Sequence, residues 1–519
     1  MDEVVVIRLS NTQSKNRKVL VVGLDGANID LIKLWAREGK LPTFERLMRE
    51  GSYGNLESVT PTITIPAWNC LSTGKNPAKL GCFSFVQKAY GSYEFRVYAS
   101  LVKRERCVWD IMSDYGKQNF VFNAPNVLSA YKINGYMVAG CICTAEERLT
   151  YPRSLRAELY KQGYEKDISD FNTLMALNDT EHSKKHKEIT EKQCKVLFQF
   201  LEKNWDFGFF VLTELDRVQH RFWDQKEILL SHYQNIDRNI GELVDRLERK
   251  KSEITLIFVS DHGFGKNRNL FLINEWLISK GFMEVRRTPA LELLKTMLRI
   301  LKKPQITKML KPLTRIALLN QLYISLYFNT GRTPIIWDKT KAFSYGTWGT
   351  IYLNVSGREP QGMVNEEDYE RLRTEIIEGL GELSVKAYRR EELYQGEYLD
   401  LAPDIIVQTD DEVSSISARV GEQRVFKEEV GGAHDRLNGT FIAWGPTVKE
   451  NNEINANLYD ITPTILHIFG IPIPTDMDGC VLKEIFTDEL AMQAIKYGGM
   501  EENKRVIKRL KELKKSRLL

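Results

Sequence analysis

The chain has 519 residues, enough for more than one folded unit at about 150 residues per domain. With 43% hydrophobic, 27% charged and 10% aromatic residues, it is not a disordered, collagenous or low-complexity protein. Lys and Arg total 73 against 69 Asp and Glu, and this formal charge of +4 excludes a surface devoted to gripping nucleic acid.

The N-terminal MDEVVVIRLSNTQSKNRK puts acids ahead of a short apolar run, which is not the order of a signal peptide. The uncharged stretches 58–74 and 316–331 fall short of the roughly 18 to 20 apolar residues of a spanning helix. Seven sparse cysteines read as reduced thiols of a cytoplasmic protein, with Cys141 and Cys143 alternating in a strand rather than holding metal.

In chain order, VLVVGLDG (19–26) is a short apolar run ending in Asp and Gly, the pattern of a buried parallel strand. Helical periodicity follows over 30–50, interrupted at Gly39 and Pro42. In the Thr/Pro-rich segment after it, Pro66 is suited to open a helix that continues through AWNCLSTG to a stop at Gly74, with Thr64 just ahead of it. Further strands are expected at FVFNAPN (120–126), YMVAGCI (136–142), FGFFVLTELD (207–216) and ITLIFVSDHG (254–263), with a helix over 232–250. Residues 284–340 turn basic and Leu-rich, divided by Pro304 and Pro312, and read as an inserted helical cap. Residues 341–429 combine strand-like GTIYLNV and DIIVQT with the helical NEEDYERLRTEIIEGL. Core texture returns at GTFIAWG (439–445) and YDITPTILHIFGI (459–471), and the chain ends in a basic helical tail over 486–519. The fold class is therefore α/β, a mostly parallel central sheet flanked by helices, with its crevice at the carboxyl ends of the strands. The core is assigned to 17–283 and 430–485, interrupted by the cap and a smaller α+β subdomain.

Only seven histidines occur, and His220, His262 and His434 sit in polar company at the borders of hydrophobic segments. Asp216 and His220 are four apart, a spacing that puts both on one side of a helical turn. Asp261 and His262 end one strand, and Asp25 ends another. Carboxylates and imidazoles delivered to strand ends form the stock of an oxygen- and nitrogen-rich two-metal centre, suited to zinc, manganese or another first-row divalent ion. A hydroxyl at Thr64, beside the positive end of the following helix, supplies a candidate nucleophile where a phosphoryl group would also meet free backbone N–H groups.

Together, Thr64-Ile-Pro, Asp25 in GLDG, Asp216-x-x-x-His220, Asp261-His262-Gly263, His434 in GGAHD and the closing YDITPTILHIFGIPIPTDMDG resemble the alkaline phosphatase superfamily, in particular its type I phosphodiesterase and nucleotide pyrophosphatase branch. The resemblance implies that Asp25, Thr64, Asp261 and His262 surround one divalent ion while Asp216, His220 and His434 hold the other. It implies zinc first and manganese second as the metal, with Thr64 forming a transient phosphothreonine. TIPAW lacks the Cys/Ser-x-Pro-x-Arg pattern of sulfatases, and the place where nucleotide pyrophosphatases commonly carry an Asn is Phe85. Asn69, Lys75 and Arg217 are the candidates to contact substrate oxygens in its stead. The implied activity is hydrolysis of a phosphodiester or pyrophosphate bond in a small anionic phosphate ester. The alternatives are a phosphomonoesterase or phosphonate monoester hydrolase, and a noncatalytic metal-binding interaction protein. No nucleic-acid partner is indicated, membrane association has only the charge of the cap behind it, and the oligomeric state is left open.

Overall fold

A computed structural model describes residues 17–97, 105–140, 143, 146–165, 177–250, 253–286, 335–410, 415–434 and 436–498. Nine strands form one sheet: β1 (Lys18–Leu24), β2 (Gly51–Glu57), β3 (Asn119–Ala124), β4 (Gly135–Ala139), β5 (Thr150–Tyr151), β6 (Phe207–Leu212), β7 (Ile254–Val259), β8 (Asn438–Trp444) and β9 (Asn452–Asn457). Their order is β9-β2-β8-β7-β1-β6-β3-β4-β5. The pairs β1/β6, β1/β7, β3/β6, β3/β4 and β2/β9 are parallel, whereas β8 runs antiparallel to both neighbours.

Central strands buried on both faces need near-continuous apolar runs, and β1, β6 and β7 have them, broken only by Lys18 at the start of β1, Thr255 in β7 and the glycines Gly23 and Gly208. Along β1, Val19 and Val21 enter one core layer while Leu20, Val22 and Leu24 enter the other. The first layer holds helix α3 (Thr64–Thr73). The second holds α1 (Ile29–Arg37), α2 (Pro42–Arg49), α4 (Asp179–Leu201), α5 (Glu214–Phe222) and α6 (Lys226–Arg249). The α1–α2 break falls where Gly39 and Pro42 predict it.

Helix α3 lies hard against the sheet. Trp68, fully buried, packs over Gly23, where a Cβ would come within 2.4 Å of the indole. This close approach brings the N-terminal end of α3 to the strand-end crevice beside Asp25.

The smaller unit is a four-stranded antiparallel sheet of Ala342–Ser344, Thr350–Leu353, Ile405–Val407 and Ala387–Arg389, backed by α7 (Glu366–Gly381). Its core also takes Phe271, Ile273, Trp276, Leu277 and Phe282, so residues 269–283 pack with the small unit rather than with the large sheet. The main core in turn extends past 485, since Phe486 and Leu490 are fully buried in it next to α8 (Ile461–Ile468). Apolar residues near these boundaries follow the nearest complementary surface, which chain order does not reveal. The helical cap falls outside the described residues except at its edges, where Val285 bridges Ile335 and Trp337 stacks on Tyr93 with centroids 3.7 Å apart. The tail beyond 498 is likewise outside them, as is Cys141. Cys143 lies beyond the end of β4, so the expected alternation of the two cysteines in a strand does not hold. Among the described residues, no helix is long and apolar enough to cross a membrane.

Gly23→Ala is expected to force Trp68 and α3 away from β1. The cost should be about 1–3 kcal/mol, the usual range for overpacking, read as a lower urea midpoint with unchanged slope.

Candidate metal centre

Each strand end in the crevice carries its ligand for a local reason. Asp25 follows β1 directly, and its N–H continues the ladder to Leu212 O at 3.0 Å. Gly26 turns the chain with φ +68°, and a Cβ there would lie 3.1 Å from Phe264 and 3.2 Å from Gln219 Nε2. Beyond β7, Ser260 Oγ donates to His262 O at 2.6 Å, and Ser58 Oγ donates to Asp261 O. These bonds hold the two adjacent ligands in a turn that faces both to one centre. Asp216 and His220 stand one turn apart on α5. His434 is fixed through its carbonyl, which accepts from Thr62 Oγ1 and from Thr409 Oγ1, the latter at 3.1 Å.

All six of these candidate ligands converge. His434 Nε2 is 2.6 Å from Asp216 Oδ1 and 3.0 Å from His220 Nε2, and His220 Nε2 is 3.5 Å from Asp216 Oδ1. His262 Nε2 lies 3.3 Å from Asp261 Oδ2 and 3.8 Å from Asp25 Oδ1, and its ring stacks on that of His434 with centroids 3.8 Å apart. Asp216, His220 and His434 form one compact donor group, and Asp25, Asp216 and His262 form a second. Asp216 therefore faces both groups. Asp261 stands beside the second with Oδ1 accepting the Gly26 N–H at 3.2 Å.

The donor chemistry fits divalent cations. Asp25 Oδ1, Asp261 Oδ2 and His262 Nε2 are buried with no hydrogen-bonding partner, and such atoms are costly unless something satisfies them. Burial and the neighbouring Asp261 hold the Asp25 carboxyl well above the usual range. Burial pushes Asp261 up to about 7. Burial, with His434 alongside, keeps His262 neutral. Although burial opposes it, the charge of His220 and His434 drives Asp216 well below the ordinary carboxylate range, and Asp216 in return outweighs burial to raise His434.

Thr64 is half-buried and is itself the first residue of α3, one position further in than the sequence suggests; Ile63, in extended conformation, is the cap. Pro66 thus falls within the first turn. Because Pro66 has no N–H, the amides of Thr64 and Ile65 are the donors that the helix end leaves over. Arg217 is half-buried on α5, and its charge acts on both Asp25 and His220. Asn69 donates to Ile65 O at 2.9 Å, bracing the first turns of α3. Lys75 is not brought to the site. It stands at the far end of α3, about 15 Å along the axis from Thr64, with its ammonium 2.9 Å from Glu105 and 2.6 Å from Asp476. Phe85 stacks on Trp348 of the small unit, centroids 5.6 Å apart, in place of a polar donor.

Sequence reasoning did not find the supports behind these ligands. Glu214, buried at the start of α5, is paired with buried His186 of α4, while Gln219 and Tyr233 bond behind the metal ligands. A His-x-x-x-His spacing at 182 and 186 is the one sequence signal for the first pair.

The type I phosphodiesterase / nucleotide pyrophosphatase family matches residues 19–435. Human ectonucleotide pyrophosphatase / phosphodiesterase 5 is similar in structure, with TM-score 0.51 and 14% identity over 89% of this chain and 97% of that one. The murine protein of that name gives TM-score 0.51 and 14% identity over 91% and 100%. An inactive threonine-to-alanine variant of the murine protein in complex with AMP gives TM-score 0.51 and 13% identity over 91% and 100%. Comparison with curated proteins gives no match.

Metal binding has to displace the protons that burial retains on Asp25 and Asp261. The Asp261 proton is bound below about pH 7 and lost above it, so apparent metal affinity is expected to rise from pH 6 to pH 8. Its raised pKa stabilises the metal-free fold below the ordinary carboxylate range, and that stability is lost as pH rises through about 7, while the Asp25 carboxyl, also raised, acts in the same direction. Zinc titration calorimetry in buffers of different ionisation enthalpy should show weaker binding and more protons released at pH 6. Equal affinity without proton release at both values would remove these two residues from the ligand set.

Proposed function

The chain belongs to the type I phosphodiesterase / nucleotide pyrophosphatase family and is a metal-dependent phosphoric ester hydrolase; from that premise we propose that it cleaves small phosphodiester or pyrophosphate substrates through a phosphothreonine at Thr64. The observation that supports the reading is the start of α3: a threonine at its leading position, two residues after Thr62, whose hydroxyl donates to the carbonyl oxygen of His434.

Asp25, Asp261 and His262 would hold one divalent ion, and Asp216, His220 and His434 the other, with Asp216 facing both. Zinc is the proposed metal, and manganese the alternative, because carboxylate and imidazole donors suit both. When bound, the ions supply Lewis acidity to the attacking and leaving oxygens. In the proposed reaction, Thr64 Oγ loses its proton and forms a bond to phosphorus as the bond to the leaving oxygen breaks. The leaving alkoxide regains a proton, and water then displaces the phosphoryl group from Thr64. The leftover amides of Thr64 and Ile65 face the nonbridging oxygens, as helix N-termini do for anions. Arg217 adds a fixed positive charge on the α5 side. The AMP bound to the murine relative supports nucleotide esters as the first substrates to test. Phe85, stacked on Trp348 where a polar donor to a phosphoryl oxygen would otherwise stand, supports a diester as the substrate to test first. We further place the protein in the cytoplasm, a reading supported by six described cysteines that are all free thiols.

Thr64→Ala is expected to keep its metals while turnover of a bis-aryl phosphodiester falls by about 10²-fold or more, whereas Thr64→Ser retains part of the activity. Rapid quench of the wild type followed by peptide mass analysis should place a phosphoryl group on Thr64. Turnover at the wild-type rate by Thr64→Ala with full metal content would instead indicate direct attack by water.

A further inference from the structure

The two donor groups arise from different parts of the chain, one at the ends of β1 and β7 and the other on α5 and the loop at His434. Besides shared Asp216 and the His262–His434 ring stack, the spacing between them is set by the surrounding structure. A continuous buried path of hydrogen bonds spans this distance. Gln219, adjacent to His220, donates through Nε2 to Gly26 O at 2.7 Å, and Gly26 is adjacent to Asp25. The Tyr233 hydroxyl on α6 donates to Gln219 Oε1 at 2.8 Å and accepts the Asn28 N–H at 3.1 Å. The Asn28 amide in turn donates to Phe264 O at 2.6 Å, two residues past His262. Gln219 and Tyr233 are fully buried. The Phe264 ring meets His220 and His434 edge-on with centroids 4.9 and 5.2 Å away. Gln219 thus joins the segments that carry Asp25 and His220, and through Tyr233 and Asn28 the path reaches the segment that carries His262.

The amide has a single way to fit. Its nitrogen faces a carbonyl and its oxygen faces a hydroxyl, so a flipped amide sets its oxygen against Gly26 O and loses that bond, and a buried network of this kind is rigid only when fully satisfied. Asparagine is one methylene too short to span the gap, and glutamate would set an acceptor against Gly26 O. The left-handed turn at Gly26, with no Cβ, is what admits the Gln219 amide.

We propose that Gln219, braced by Tyr233, is a positioning residue that sets the spacing between the two metal-ligand groups. The inference rests on the two-metal reading above. It touches neither substrate nor metal, so its removal should leave each donor group able to bind while degrading the pair. Outer partners of metal ligands commonly contribute 10- to 100-fold in metal affinity or activity, and a change of about that size is expected here.

The test uses the full chain reconstituted with manganese alone and compares wild type, Gln219→Leu, Gln219→Glu and Tyr233→Phe. Wild type should bind two ions with an exchange-coupled electron paramagnetic resonance spectrum. Gln219→Leu should bind the second ion about tenfold or more weakly and lose the coupled spectrum, with kcat for a phosphodiester down by about 10- to 100-fold and KM little changed. Tyr233→Phe, which leaves the glutamine in place and changes one oxygen, should shift the same readouts in the same direction by less. Gln219→Glu should fail to rescue them. A coupled spectrum and kcat at the wild-type level in both Gln219→Leu and Tyr233→Phe would overturn the proposal. Should Gln219→Leu not fold, Tyr233→Phe decides by the same spectrum. A wild type that binds no pair of ions overturns the two-metal reading itself, a result distinct from an intact pair in the variants.

Discussion

Asp25 and Asp261 close two adjacent strands, β1 and β7, at a point shielded from water, and the burial of their carboxyl groups is the constraint around which the site is organised. Burial alone would keep both protonated. Cations supplied to the pair reverse that preference, and the orphaned atoms Asp25 Oδ1, Asp261 Oδ2 and His262 Nε2 are the places where that compensation is missing from the protein's own groups. The geometry around them serves to hold unfavourable charge in place: a mostly apolar sheet interior, a left-handed turn at Gly26 and hydroxyls that pin the backbone of Asp261 and His262.

Thr64, the proposed nucleophile, is set in place by packing and by one polar contact of its segment. Helix α3 is anchored on the opposite core layer from α5 and α6, and Trp68 over Gly23 fixes how close its leading end comes to the sheet. Thr62, two residues before Thr64, bonds the carbonyl of His434. The segment of Thr64 and the candidate ligand His434 are therefore tied together, although 370 residues of numbering separate them, the span between 64 and 434.

The small unit contributes through the same carbonyl. Thr409, just past the strand Ile405–Val407, is the second donor to His434 O. Behind it, Asp404 is paired with Arg358 at 2.7 Å and Glu359 with Lys88 at 2.8 Å, all largely buried, and the aromatic pairs Tyr93–Trp337 and Phe95–Tyr345 stack across the seam. Breaking one partner of such a buried pair would leave an uncompensated charge, so this seam is held in a single register. Phe85 and Trp348 sit along it, giving the substrate side an aromatic wall in place of an amide.

The sequence by itself determined the sheet, because strands buried on both faces must be continuous apolar runs, and VLVVGL, FGFFVL and ITLIFV can be little else. It also determined the donor residue types, since Asp and His directly after such runs are delivered to one edge of a parallel sheet. Only tertiary structure decided which donors share a centre: Asp216 faces both groups, whereas Lys75, attractive as a cation near Thr64 in the chain, is carried away by the length of α3. Unit boundaries were equally out of reach, because residues 269–283 and Phe486 are apolar and would satisfy either core. Gln219 and Tyr233 carry no motif, since a hydrogen bond between distant segments depends on a few tenths of an ångström of packing that no local pattern encodes.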